Sequence, residues 1–347
     1  MLLSAGLGLA AISRAAIPNK NSGQCSFGKL KDTDQTYTVP PTGWHLWWMA
    51  VRPRTLSISA TPVLVGTALA VAEGATANGL AMLAALCCAL LIQVGTNLHN
   101  DAADFESGND QPDRVRPRRV SAEGWANPAG VRRAATLSFT LALLLGIYLV
   151  ALGGWPILLA GLASLIAGWS YSGGPRPVSH SALGEFFVLL FFGLVAVAGS
   201  HRLQLGVWSP DALLAGLVVG LPAAAVLLIN NYRDLESDLR GGRQTLVSVL
   251  GRKHSRLLYV ALMLLPFAVL PLLSWYGHKG AWLGFLALPL SLSLIRRLLR
   301  NPPGSELNSL LAATAQTGFV LGLVLSIGVL CCESGGRSAA GPGTRNT

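Results

Sequence analysis

Apolar residues run along this chain in blocks close to twenty long, separated by short stretches rich in Gly, Pro, Arg and acids. About twenty residues at a 1.5 Å rise cross a bilayer core, so each block has the length of a membrane-spanning helix. The pattern predicts nine spans: 55–72, 79–98, 131–151, 155–171, 183–200, 211–230, 255–275, 280–297 and 309–332. Spans three and four meet at Gly153-Gly154-Trp155-Pro156. Together they are too long for a single crossing, so a tight hairpin is expected there. The expected fold is all-α, a polytopic bundle of about nine transmembrane helices. Residues 44–332 form the membrane domain. Residues 1–43, with a basic start and an apolar run too short to span, read as a disordered or targeting extension, and residues 333–347 as a disordered tail.

Composition agrees with this reading. Of 347 residues, 52% are hydrophobic and 12% charged, about half the charged fraction of soluble domains. The net charge of +10 is a matter of sidedness. Eighteen Lys and Arg residues fall in loops on one side of the predicted bundle and four on the other. The positive-inside rule then places the N-terminus and the basic loops in the cytoplasm and the C-terminus outside, in an inner-membrane protein surrounded by lipid bilayer. No nucleic-acid partner is expected, since the basic residues are not interleaved with stacking aromatics in a soluble domain. Most of the nine Trp residues sit at predicted helix ends, as interfacial anchors do. The cysteines have neither metal-ligand nor disulfide spacing.

The acids carry the chemistry. Nine of 16 crowd into two stretches: Asp101, Asp104, Glu106, Asp110, Asp113 and Glu123 in the first, Asp234, Glu236 and Asp238 in the second. Each stretch closes an apolar run. At 100° per residue, Asn97, Asp101 and Asp104 lie within about 60° of one another, and Asn230, Asp234 and Asp238 within about 80°. Each helix end thus presents one oxygen-rich stripe. Neighbouring carboxylates repel unless a cation sits between them, and carboxylate and amide oxygens suit Mg²⁺. His99 has no partner at ligand spacing and is expected on the helix surface. Arg114, Arg116, Arg118 and Arg119 follow the first stripe, and Arg240 and Arg243 follow the second. Acids, a divalent cation and guanidinium groups suit a diphosphate. Beside an apolar bundle, such a site suggests a substrate with a charged head and an apolar tail, for which an isoprenyl diphosphate is the candidate. Asn100, Asn231, Arg233 and Asp110 belong to the same stretches and are candidate substrate contacts. A secondary transporter would place its acids at the bilayer midplane on broken helices, whereas these lie at helix ends beside arginines.

Four stretches in order resemble the UbiA superfamily of intramembrane aromatic prenyltransferases, in its 1,4-dihydroxy-2-naphthoate polyprenyltransferase branch. They are RPRTLSISATPVLVGTALA from Arg52, NLHNDAADFESGNDQPDRVRPRRVSAEG from Asn97, YSGGPRPVSHSALGEFFVLLFFGLVAVAG from Tyr171 and NNYRDLESDLRGGRQTLVSVLG from Asn230. The resemblance implies nine helices around a central cavity and two Mg²⁺ ions on the cytoplasmic side. It makes Asn97, Asp101 and Asp104 the first metal motif and Asn230, Asp234 and Asp238 the second. Asp101, Asp104, Asp234 and Asp238 would be the metal ligands. Arg243 stands where many relatives carry Lys, with the charge kept. The implied reaction joins a prenyl diphosphate to an aromatic acid, 1,4-dihydroxy-2-naphthoate, with loss of carbon dioxide and diphosphate. Transfer to 4-hydroxybenzoate, homogentisate or a chlorin is the alternative within the same chemistry. Tyr171 would orient diphosphate or aromatic acid, or else cap its helix at the interface. Arg176 reads first as a solvated loop residue and second as a partner for the aromatic carboxylate.

Overall fold

A computed structural model describes residues 41–108, 119–300, 304 and 306–337. Within them the chain is helical: α1 Trp44–Val51, α2 Ser57–Ala72, α3 Gly79–Glu106, α4 Pro128–Gly153, α5 Trp155–Ser170, α6 Gly184–Leu205, α7 Pro210–Arg240, α8 Leu246–Trp275, α9 Lys279–Arg300 and α10 Glu306–Arg337. The helices α2 to α10 correspond one for one to the nine expected spans. Seven of the described helices are long and apolar enough to cross a membrane singly, and the bent pair α1–α2 makes an eighth. The sixteen residues of α5 reach about 24 Å, short of a full hydrocarbon core. The chain is a multi-pass membrane protein.

Local sequence accounts for the helix boundaries. Asn78, Asn127, Ser209 and Thr245 cap the N-termini of α3, α4, α7 and α8 with their side-chain oxygens. Gly154 takes φ 72° between α4 and α5, so the expected hairpin needs no further residues. Helix α1 stops at Val51 because Arg52 precedes Pro53, and a residue before proline is driven out of the right-handed helical region. Arg52 adopts φ 57°, the one left-handed non-glycine among the described residues. The chain then turns by 52° into α2.

Several helices run further than the apolar pattern suggests, and two of these extensions carry the acids. Helix α3 continues to Glu106 and α7 to Arg240, so both acid stripes lie inside the last turns of their helices. Hydropathy marks only the lipid-immersed part, whereas these polar turns are held by ion pairs.

Helix α7 is central, with 78% of its most apolar stretch buried inside the protein. It packs against α6, α8 and α10. Close approach to α6 depends on glycine: a Cβ on Gly193 would lie 2.6 Å from the Gly216 carbonyl oxygen and 2.9 Å from Gly220 Cα. Here α6 widens into a π-helical turn, Leu189–Val195. Helices α4 and α5 turn Leu137, Leu144, Ile147, Leu159 and Ile166 outward, an apolar surface that only lipid or another membrane helix covers without penalty. Trp44, Trp48, Trp155, Trp208 and Trp275 are exposed near helix ends, as expected of anchors.

Candidate active site

The two acid stripes meet through arginine. Asp104, on α3, accepts hydrogen bonds from Arg119 through one carboxylate oxygen and from Arg243 through the other. Arg243, just beyond α7, also lies 3.8 Å from Asp238 Oδ1. Its backbone N–H donates to the Asp238 carbonyl at 2.9 Å, closing the Gly241-Gly242 turn. One guanidinium therefore joins motifs 134 positions apart (Asp104 and Asp238). All three side chains are at most 9% exposed. Charges so far from water persist only when compensated.

The other motif residues divide by role. Asp101 Oδ1 accepts from the Ser121 backbone N–H at 3.1 Å, which fixes the loop that returns Arg119 to the site. Asn97 donates to the Val51 carbonyl at 2.9 Å. That carbonyl is one of the orphaned acceptors at the end of α1, so Asn97 holds the Arg52 turn against α3. Its Oδ1 accepts from Gln93 at 3.4 Å. Asp234 takes a two-pronged hydrogen bond from Arg233, at 2.8 and 2.9 Å. The same guanidinium donates to Asn230 Oδ1 and, through its third nitrogen, to Asn308 Oδ1 on α10. Arg233 is thus committed to protein partners, which argues for a positioning role over the substrate contact read from sequence. Asn231 donates to the buried Glu185 at 2.9 Å.

Donor chemistry fits a hard divalent cation. The stripes supply carboxylate and amide oxygens and no sulfur. Asn100, within about 40° of Asp104 around α3, has a buried Oδ1 with no hydrogen-bond donor. An oxygen in that state is completed by a cation or by a donor on a ligand.

Several expected residues fall elsewhere. Asp110, Arg114 and Arg118 lie outside the described residues. Arg176 is exposed, in keeping with a solvated loop. Tyr171, half-buried, is within electrostatic reach of Glu185, Arg243, Asp104 and Arg52. His99 corrects the expectation of a helix-surface residue. It is buried, stacked on Trp169 with ring centroids 6.0 Å apart, because α5 covers that side of α3. It lines a cavity of about 460 Å³ with Glu106, Arg132, Phe139 and Trp169. His99 and Glu106 lie roughly opposite the acid stripe around α3, so this cavity is separate from the acid site.

Two residues outside the acid stripes also reach the site. Arg52 lies within electrostatic reach of Asp101, Asp104, Arg119 and Arg233. His180, in the loop before α6, sits near Arg243 and Asp104. Desolvation and the Arg243 charge hold its imidazole below the usual range, with Asp104 opposing. A motif search sees one segment at a time, and neither residue belongs to an acid stripe. The clue available in the sequence was the Arg52-Pro53 pair at the head of the first resembling stretch.

Residues 59–320 match the UbiA prenyltransferase family. The chain belongs to that family. A 1,4-dihydroxy-2-naphthoate octaprenyltransferase of Bacillus subtilis is 32% identical over 302 residues, covering 86% of this chain and 97% of the relative. The protein of the same name from Escherichia coli is 34% identical over 295 residues, covering 83% and 96%. A UbiA homolog from Archaeoglobus fulgidus, solved with GPP and Mg²⁺, superposes with a TM-score of 0.57 at 14% identity, covering 82% and 99%. That likeness establishes the shared UbiA fold. The chain is a prenyltransferase, and both of its acid motifs lie inside the matched region.

Proposed function

We propose that this UbiA-family enzyme transfers a polyprenyl group from a prenyl diphosphate to 1,4-dihydroxy-2-naphthoate. The allylic C–O bond breaks and diphosphate leaves. A ring carbon of the naphthoate bonds to the prenyl carbon, and the ring carboxylate departs as carbon dioxide, giving a demethylmenaquinol. The observation that carries this reading is the Arg243 bridge between Asp104 and Asp238, which gathers both acid stripes and their arginines into one centre. The naphthoate acceptor rests on the relatives, since the B. subtilis and E. coli proteins of that name match nearly end to end.

In this proposal Asp101 and Asp104, and Asp234 and Asp238, would hold Mg²⁺, with Asn100 Oδ1 available as a further oxygen donor. When bound, Mg²⁺ supplies Lewis-acid stabilisation of the charge that develops on diphosphate. Arg119 and Arg243, which pair with Asp104, and Arg52 beside them supply the donors for the phosphate oxygens. Arg233 keeps Asp234 and Asn230 in place. Tyr171 orients the diphosphate or the acceptor from the opposite loop. The apolar faces of the bundle keep water from the allylic cation. The basic side, with the active-site loops and the N-terminus, faces the cytoplasm of an inner membrane.

Membranes containing the protein, supplied with an allylic diphosphate and a panel of aromatic acids with and without Mg²⁺, test the reading. Prenylated, decarboxylated naphthoate is expected, and only with Mg²⁺. Turnover of 4-hydroxybenzoate or homogentisate in preference to the naphthoate would replace the acceptor. No turnover of any acid, in membranes that bind the diphosphate, would refute transfer.

A further inference from the structure

A second polar cluster lies at the other end of the bundle. Glu73 follows α2, Asp211 opens α7 and His278 sits in the turn between α8 and α9. One ligand atom from each lies within 4.8 Å of the others, the one such trio of His, Cys, Asp and Glu among the described residues. Asp211 and Asp234 share α7 and are separated by 23 residues, about 35 Å of helix. The trio is therefore independent of the prenyl-transfer centre.

The geometry points to a divalent transition-metal site of the Zn²⁺ type, held by Glu73 Oε1, Asp211 Oδ2 and His278 Nε2. His278 Nε2 is 3.1 Å from Asp211 Oδ2 and 3.7 Å from Glu73 Oε1. Tetrahedral Zn²⁺ with bonds near 2.0–2.1 Å sets its ligands about 3.3 Å apart, so these atoms need little rearrangement. Two carboxylates this close repel without a cation. An imidazole among them selects for Zn²⁺ and its neighbours over Mg²⁺, the opposite preference to the oxygen-only stripes.

The surroundings are built as a ligand shell is built. Glu73's second oxygen, Oε2, is held 3.0 Å from Nε2 of His201, a fully buried residue of α6. Ser209, the cap of α7, donates to Oε1 at 3.5 Å. Groups that orient a ligating carboxylate in this way tune and retain the metal. His201 is brought there by Gly66 on α2, where any Cβ would collide with the Val197 carbonyl and crowd the His201 amide. His278 is buried, while Glu73 and Asp211 are about one-fifth exposed, which leaves a route for the ion. Three protein ligands and an open fourth position would tie the ends of α2, α7 and α8 together.

The test uses the purified full chain in detergent with excess Mg²⁺, so that the acid stripes are supplied with their own cation. After chelation and dialysis, Zn²⁺ is titrated against a chromophoric chelator and bound zinc is counted by elemental analysis. One equivalent per chain is expected, with affinity at least tenfold weaker in both His278→Asn and Asp211→Asn. Zn²⁺ should also raise the thermal midpoint of the unmodified protein, as any ligand selective for the folded state does, and should not raise that of Asp211→Asn. The unmodified protein alone can refute the site, by binding no tight equivalent, whatever the variants' folding. Retention of the equivalent at full affinity in both variants would refute it equally, leaving a hydrogen-bonded latch.

Discussion

Replacing Arg243 with Gln removes a guanidinium that joins both acid stripes. Asp104 keeps its second partner, Arg119, and the backbone bond from residue 243 to the Asp238 carbonyl does not depend on the side chain. The bundle should therefore still assemble. What is lost is a charged donor beside a leaving group whose negative charge grows as the allylic bond breaks. A charge-assisted hydrogen bond contributes about 1.5–3 kcal/mol, and when it strengthens in the transition state the loss appears in turnover. That corresponds to a fall of roughly ten- to a hundredfold in kcat. The KM for the naphthoate should stay within about twofold. Arg243→Lys should recover part of the loss, because an ammonium restores charge without the planar fork. Initial rates in membranes, with each substrate varied in turn at saturating Mg²⁺, separate the two constants. If Arg243→Gln kept full turnover and lost only naphthoate affinity, Arg243 would belong to an acceptor pocket, and the assignment of the arginines to diphosphate would fail.

Other outcomes are expected on the same grounds. Asp101→Asn keeps an oxygen for the Ser121 N–H but loses the charge, so transfer should fall to background with an unchanged elution profile; ordinary activity at ordinary Mg²⁺ would sink the two-stripe site. Deleting residues 1–40 should leave membrane activity intact, because the family match begins at residue 59; a truncated protein that inserts normally but turns over slowly would show that the extension reaches the site. Gly193→Ala places a methyl against backbone atoms of α7 and should destabilise the bundle by about 1–3 kcal/mol, read as a lower melting midpoint in detergent; an unchanged midpoint would mean α6 and α7 are less closely packed. The His180 imidazole has a depressed folded-state pKa, so its contribution is complete above its unfolded value of about 6.5 and is lost as pH falls through the folded value. Melting midpoints followed below pH 6.5 should drop less steeply in His180→Gln than in the parent, and parallel curves would remove His180 from the acid response.

The helical segments could be read from the sequence because the bilayer imposes a length on apolar runs, although seven or eight of those described, and not nine, are long enough to cross it. Both stripes could be read because carboxylates at lipid-flanked helix ends need an explanation. What lay beyond the sequence depends on contacts between distant segments. The apolar pattern stopped α7 near residue 230, whereas ion pairing by Arg233 carries the helix through Asp238 to Arg240. His99 has nothing in its own segment to announce burial, which comes from Trp169 on α5. The trio at the far end draws on residues 73, 211 and 278, each unremarkable alone.

The arginines explain why oxygen stripes could be recognised while individual ligands could not. Periodicity places Asn97 and Asp101 on one face, but only the fold shows that Asn97 donates to the carbonyl that ends α1 while Asp101 accepts from the Ser121 backbone. Likewise Arg233 and Arg243 both belong to the second acid stretch and the turn that follows it. Arg233 uses Nε and both terminal nitrogens on Asp234, Asn230 and Asn308, while Arg243 has a buried Nε with no hydrogen-bond partner. A guanidinium with a donor still unmet is the one suited to an incoming phosphate oxygen. A fully engaged guanidinium is suited to holding its neighbours still. The division of labour between two chemically identical side chains is thus set by which donors the fold leaves open.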